Sequence, residues 1–164
     1  MVEAFQLFWK NYFNIHGRTR RRHYWYAILD TTLILIALSL ICDLLSWSFG
    51  AKRLFETIYN IVDLVIFIGV FTMSVRRFHD VGRTMTIPLI LFIVMLLQNI
   101  RMLTDDYVGY SMDSYSVGIG LVIVSIISVA ISIALLILLI IAVVYCATDS
   151  EPSMNKYGPN PKGE

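Results

Sequence analysis

Four runs of apolar residues dominate this chain, at about 24–46, 54–74, 87–103 and 117–147. A helix rises about 1.5 Å per residue and a bilayer's hydrocarbon core is about 30 Å thick, so roughly 20 residues cross it. The first, second and fourth runs clear that length; the third is marginal, because Gln98, Asn99 and Arg101 sit near its end. Of the 164 residues, 57% are hydrophobic and 15% charged, whereas a soluble domain is about one quarter charged. The expectation is an all-α, polytopic membrane protein. Its core is a four-helix transmembrane bundle, or three spans if the third run only re-enters.

The first run is bracketed by Trp25 and Trp47, roughly 33 Å apart along a helix. Indole rings favour the headgroup level, so this spacing suits one crossing. The run is too long for a signal-peptide h-region and three more follow it, which argues against cleavage. Cys42 and Cys146 fall near span ends on opposite faces, too far apart for a disulfide, and read as packing residues.

Charge orients the chain. Of its 13 Lys and Arg residues, all but Lys52, Arg53 and Arg101 fall in the N-terminal segment, the second loop or the tail. The loop at 104–116 holds Asp105, Asp106 and Asp113 and no basic residue. The positive-inside rule then places both termini in the cytoplasm. Three parts are expected: an interfacial amphipathic helix (1–17), a four-span domain (18–150) and a cytoplasmic tail (151–164). In the first, Val2, Phe5, Phe8, Trp9, Tyr12 and Phe13 follow helical spacing opposite Glu3, Gln6, Lys10 and Asn14. Such a helix lies in the interface plane or packs against the protein's own spans.

Chemistry-bearing residues cluster in few places. Arg18, Arg20, Arg21 and Arg22 lie beside the first span, where each gains roughly 1 kcal/mol from anionic lipid, or serves only as a topology determinant. The second loop carries Arg76, Arg77, His79, Asp80 and Arg83. His79 and Asp80 invite a catalytic reading, but neighbours on a helix do not face each other and no nucleophile motif accompanies them. A turn is the simpler reading: Asp80 caps backbone amides, Gly82 takes positive φ, and Thr86 caps the third span with Pro88 in its first turn. The arginines then pair with Asp80 or point at phosphates. His16, His23 and His79 lack the spacing of a helical metal-ligand pair, so no metal and no cofactor is expected.

Polar residues also fall inside the spans. Glu56, Asn60 and Asp63 form a stripe in the second, and Asp30 and Asp43 lie in the first, where Ser39 and Ser46 share a face with Asp43. A charge at bilayer depth costs at least about 2.5–3.5 kcal/mol, so these residues should face the bundle interior. They provide a proton or cation path, or they act as interhelical glue, with Arg101 pairing Asp43 or Glu56 and a protonated Asp63 donating a hydrogen bond. Ser125, Ser128 and Ser132 share one face of the fourth run, a face suited to packing on another helix.

Three stretches also resemble one family. GRTRRRHYW (17–25), VRRFHDVGR (75–83) and the tail NKYGPNP (155–161) are similar, in that order, to signatures of domain-of-unknown-function family eight hundred and five. The resemblance implies a multi-span bacterial inner-membrane protein and brings no established activity, cofactor or catalytic residue. The chain departs from the family in Thr84-Met85-Thr86, where an aromatic pair is usual. It departs again in Ser153-Met154, where Gly-Glu is usual, and in its longer region after the central motif.

All three motifs are expected on the cytoplasmic face, so they can converge into one polar cap. Its members would be Arg18, Arg21, Tyr24, Trp25, Arg76, Arg77, His79, Asp80, Arg83, Asn155 and Tyr157. The expected function is that of a non-enzymatic membrane protein whose cap binds anionic lipid headgroups or a protein partner, another membrane protein or a second copy of the chain. The alternatives are a small transporter or channel-like subunit using the intramembrane carboxylates, and a membrane-bound enzyme using His79 and Asp80. Nucleic-acid binding is not expected, because the basic residues are few and close to the bilayer.

Overall fold

The computed structural model describes residues 1–104 and 119–161, with the side chains of 100–104 and 119–121 left aside. Five helices make up the described chain: α1 (Val2–Lys10), α2 (Arg21–Phe49), α3 (Lys52–Asp80), α4 (Thr86–Thr104) and α5 (Ile119–Ala147). No strand occurs among the described residues; one isolated bridge joins Asn155 and Gly158.

Among the described residues, three helices are long and apolar enough to cross a membrane: α2, α3 and residues 122–147 of α5. The apolar part of α4, Thr86–Asn99, is shorter. At 29 residues each, α2 and α3 run about 43 Å. The outer faces of α2 and α5 expose Leu33, Ile36, Leu40, Ile126, Leu136 and Ile140. An apolar surface this continuous is costly in water and suits hydrocarbon.

Gly50 ends α2 in the left-handed region at φ 67°, its N–H donating to the Ser46 carbonyl at 2.9 Å. Only Gly50 and Ala51 separate α2 from α3, so the two pack as an antiparallel pair. The buried core lies toward the other end of this pair, where Phe8, Tyr24, Ala27, Met73, Phe78, Ala142 and Cys146 meet.

The N-terminal segment packs on the protein's own helices. Ala4 and Phe8 are each 1% exposed. A Cβ on Gly69 would collide with the Phe8 ring and come within 2.8 Å of the Tyr12 ring, so this glycine admits both aromatic residues onto α3. Thr72 Oγ1 donates to the Tyr12 carbonyl at 2.7 Å, and Tyr12 Oη to that of Val65 at 2.5 Å. Val2 and Phe13 remain exposed on the other side.

Several local expectations need correcting. Arg76–Asp80 was expected in a loop, yet α3 continues through Asp80. No breaker precedes Gly82, and basic side chains in the last turn favour the negative end of the helix dipole. Thr86 is the first helical residue of α4 rather than its cap, its hydroxyl 2.9 Å from that of Thr84. Ser125, Ser128 and Ser132 face outward, with hydroxyls donating to the Val122, Ser125 and Ser128 carbonyls of their own helix. A serine bonded back to its own helix needs no neighbouring helix to satisfy it. The acidic residues Asp105, Asp106 and Asp113 lie outside the described residues.

Candidate functional site: the arginine–aspartate cap

The last turn and a half of α3 is enclosed. Val75, Arg77, Phe78 and Asp80 are at most 1% exposed, and Arg76 and His79 at most 8%. A buried helix end must find partners for its terminal carbonyls. Here the Phe78 carbonyl accepts from the Val81 and Arg83 amides and that of His79 from the Gly82 amide and Asn155 Nδ2. The Asp80 carbonyl takes the Glu151 amide at 3.0 Å and Arg18 Nη2 at 3.2 Å, while that of Arg76 takes the Thr19 amide. The segment before α2 and the C-terminal tail thus supply much of what the end of α3 lacks.

Asp80 is the centre of the cap. Its Oδ1 accepts Arg18 Nε at 3.0 Å, and its Oδ2 accepts Arg77 Nη1 and the Ser150 hydroxyl. The side chains of Asp80 and Arg77 are fully buried and that of Arg18 is 1% exposed. Its carboxylate was expected to cap turn amides. The Phe78 and His79 carbonyls close the turn instead, while Gly82 takes the expected positive φ, 70°, and the carboxylate makes the expected pairing with arginine.

Two positive charges on one carboxylate leave an excess, which helix-end carbonyls offset. Arg77 Nε donates to the Cys146 carbonyl at 3.0 Å, its Nη2 to Thr148 and its Nη1 also to Thr19. Arg21 Nη1 reaches the Ala147 carbonyl at 3.2 Å. The Cys146, Ala147 and Thr148 carbonyls lie at the C-terminal end of α5, the negative end of its dipole. Arg18 spends its remaining donors on the Ser153, Gly158 and Glu151 carbonyls. Charge-assisted bonds of this kind are the strong ones. They tie three chain segments and two helix ends into one body.

The tail closes over this cluster. Asn155 Oδ1 accepts the Tyr157 amide at 3.0 Å in a side-chain turn, and Asn155 Nδ2 reaches Glu151 Oε2 at 2.7 Å. The Tyr157 ring stacks on His79 with centroids 3.7 Å apart and planes 9° apart. Tyr24 is buried, its hydroxyl 3.3 Å from Ser74 Oγ. Trp25 meets the Tyr24 ring edge-on and lines an apolar cavity of about 260 Å³ with Phe67, Phe71 and Phe92. Arg83 is exposed, its guanidinium 4.9 Å above the Tyr145 ring.

Sequence reasoning missed Thr19, Thr148, Ser150 and Glu151. The available signal was the polar run Thr148–Glu151 directly after the last apolar run, at the level where the arginine motifs end. The tail's departure at Ser153-Met154 is tolerated because Ser153 contributes a carbonyl and Met154 is exposed.

The polar residues expected inside the spans lie apart from the cap, and Asp43 and Glu56 are exposed rather than turned to a bundle interior. Asp43, Glu56 and Asn60 line a cleft of about 340 Å³ with Ser39, Ser46 and Lys52; Asp63 is not part of its lining. Lys52 pairs with Glu56 at 3.5 Å. Asp30 is half-buried, with Oδ2 lacking a hydrogen-bond partner among the described residues. The Arg101 side chain, expected to pair with Asp43 or Glu56, lies outside the described residues. Among the described residues no group of three His, Cys, Asp or Glu is placed to hold a metal.

Fold and site together define a multi-helix membrane protein closed at one end by a buried arginine–aspartate cluster. The chain belongs to the family described as Protein of unknown function (DUF805), whose model matches residues 12–159. It is 34% identical over 76 residues to the Inner membrane protein YhaH of Escherichia coli (strain K12), covering 46% of this chain and 60% of that relative. The same protein of Escherichia coli O157:H7 matches to the same extent. The match therefore spans less than two thirds of these curated relatives. No solved structure matches the chain.

Proposed function

We propose that this chain is a non-enzymatic protein of the bacterial inner membrane, with four spans, both termini in the cytoplasm and α1 packed against its own spans. In this reading the cap faces the cytoplasm and binds anionic lipid headgroups. The observation that carries it is the occupancy of Asp80. A catalytic carboxylate needs an open lone pair or a proton to give, whereas this one is enclosed by two guanidinium groups and a hydroxyl. His79 is buried beside it, its ring stacked on Tyr157. Around this closed centre Arg20, Arg21, Arg22 and Lys156 bring further positive charge to the same end. Basic residues beside a span are attracted to anionic headgroups by roughly 1 kcal/mol each.

The test is reconstitution into vesicles of phosphatidylcholine with and without phosphatidylglycerol. The reading expects phosphatidylglycerol to raise the unfolding temperature and to be retained by the purified protein. An equal response to both lipids would remove lipid recognition and leave a protein partner as the role of the cap.

A further inference from the structure

Arg76 differs from the arginines on either side of the cluster. It is 6% exposed, its Nε reaches the Thr72 carbonyl at 3.4 Å, and its Nη2 is buried without a hydrogen-bond partner. Arg18 and Arg77 share Asp80, whereas no ion pair to Arg76 occurs among the described residues. A guanidinium carries five donors and keeps its charge at any ordinary pH. Burying one with donors unmet is costly unless an anion meets it.

There is room for that anion. Arg76 lines a cavity of about 330 Å³ between α1, the start of α2 and α3, together with Asn11, Thr19, Arg20 and His23. That volume falls within the range of about 300–1,000 Å³ usual for ligand sites. The positive charge of Arg18 at the cavity wall is already met by Asp80, and Arg20 Nε donates to the Pro161 carbonyl. One acid, Glu3, also lines the cavity; it is mostly exposed and lies 3.8 Å from His23 Nε2. The first turn of α2 opens here without a side-chain cap, so its amide groups add the positive end of a helix dipole.

We infer that this cavity binds a phosphate group, with the Arg76 guanidinium as its principal donor and Arg20 and the α2 N-terminus in support. The phosphate belongs to a lipid headgroup or is free in solution. The inference rests on the reading of the cap as an anion-binding surface and gives that reading one defined site.

The test follows thermal unfolding of the full chain in detergent while phosphatidylglycerol, phosphatidylcholine or inorganic phosphate is added. Wild type, Arg76→Gln and the exposed surface variant Arg22→Gln are compared. Stabilisation by phosphatidylglycerol should need at least about tenfold more lipid in Arg76→Gln, the loss expected for one charge-assisted hydrogen bond. Arg22→Gln should cost no more than about fivefold, the share of a single surface charge. A shift with phosphatidylglycerol alone assigns the phosphate to a headgroup; a shift with inorganic phosphate that Arg76→Gln abolishes assigns it to a soluble ligand. Should Arg76→Gln fail to fold, Arg20→Gln tests the same cavity, with a loss of about threefold expected. Equal responses from wild type and the cavity variants would overturn the inference while leaving surface attraction intact. If neither lipid nor phosphate shifts the wild type, both the cavity and the wider reading fail.

Discussion

Arg18 and Asp80 are separated by 62 positions in the chain, yet Arg18 Nε donates to Asp80 Oδ1 at 3.0 Å with both side chains shielded from solvent. With Arg77 on the other oxygen, this pair holds the segment before α2, the end of α3 and the end of α5 together. Removing one partner of a buried ion pair strands the other, which typically costs about 3–5 kcal/mol. The cap therefore makes predictions about stability that a catalytic site would not.

Ser150 donates to Asp80 Oδ2 at 2.5 Å in a buried position. A hydrogen bond to a charged group is worth about 1.5–3 kcal/mol. Ser150→Ala should lower stability by an amount in that range. Denaturant unfolding in detergent measures it, and a change below about 0.5 kcal/mol would show that Ser150 is not part of the cluster.

Gly69 should tolerate no side chain. Gly69→Val places atoms where the Phe8 and Tyr12 rings lie, and overpacking of this kind costs about 1–3 kcal/mol. Because α1 is the lighter element, it should detach, so proteolysis between α1 and α2 should quicken markedly. Unchanged cleavage would mean that the Phe8–Gly69 contact does not hold α1.

Topology is tested by labelling. In a background lacking Cys42 and Cys146, cysteines at Ser111 and at the exposed Met154 should react from opposite sides of the membrane. Reaction from the same side would replace four spans with three and a re-entrant segment.

Asp63 separates the lipid-binding account from a transport one. Asp63→Asn keeps the hydrogen-bonding capacity of a structural residue and removes its ionisation. The expected result is a normal fold and no change in proton flux across reconstituted vesicles. A proton-linked flux in the wild type that the variant abolishes would favour transport.

How much of this was legible in the sequence depends on the range of the interactions involved. Span length and apolar content are local properties, so α2, α3 and α5 could be read from runs of Leu, Ile and Val. The Arg18, Arg77 and Asp80 motifs could be placed on one face by charge alone. The helical state of Arg76–Asp80 could not, because a charged stretch before a glycine suits a helix end or a loop equally. The contacts of Ser150 and Thr19 could not be read for a different reason. Their roles come from tertiary contact, and Thr19 acts partly through its carbonyl, which every residue possesses. The serine face of α5 misled because small polar residues suit a helix interface and a self-bonded outer face alike.

The stretch from Arg76 to Arg83 acts, in this account, as a structural clamp. The most direct measurement compares thermal melting of Asp80→Ala and His79→Ala in detergent. Asp80→Ala strands two buried guanidinium groups and should lose about 3–5 kcal/mol. His79→Ala removes a ring stacked on Tyr157 and should lose much less, about 0.5–1.5 kcal/mol beyond its buried area. Near-wild-type melting of both variants would contradict the clamp and return His79 and Asp80 to the role of a catalytic pair.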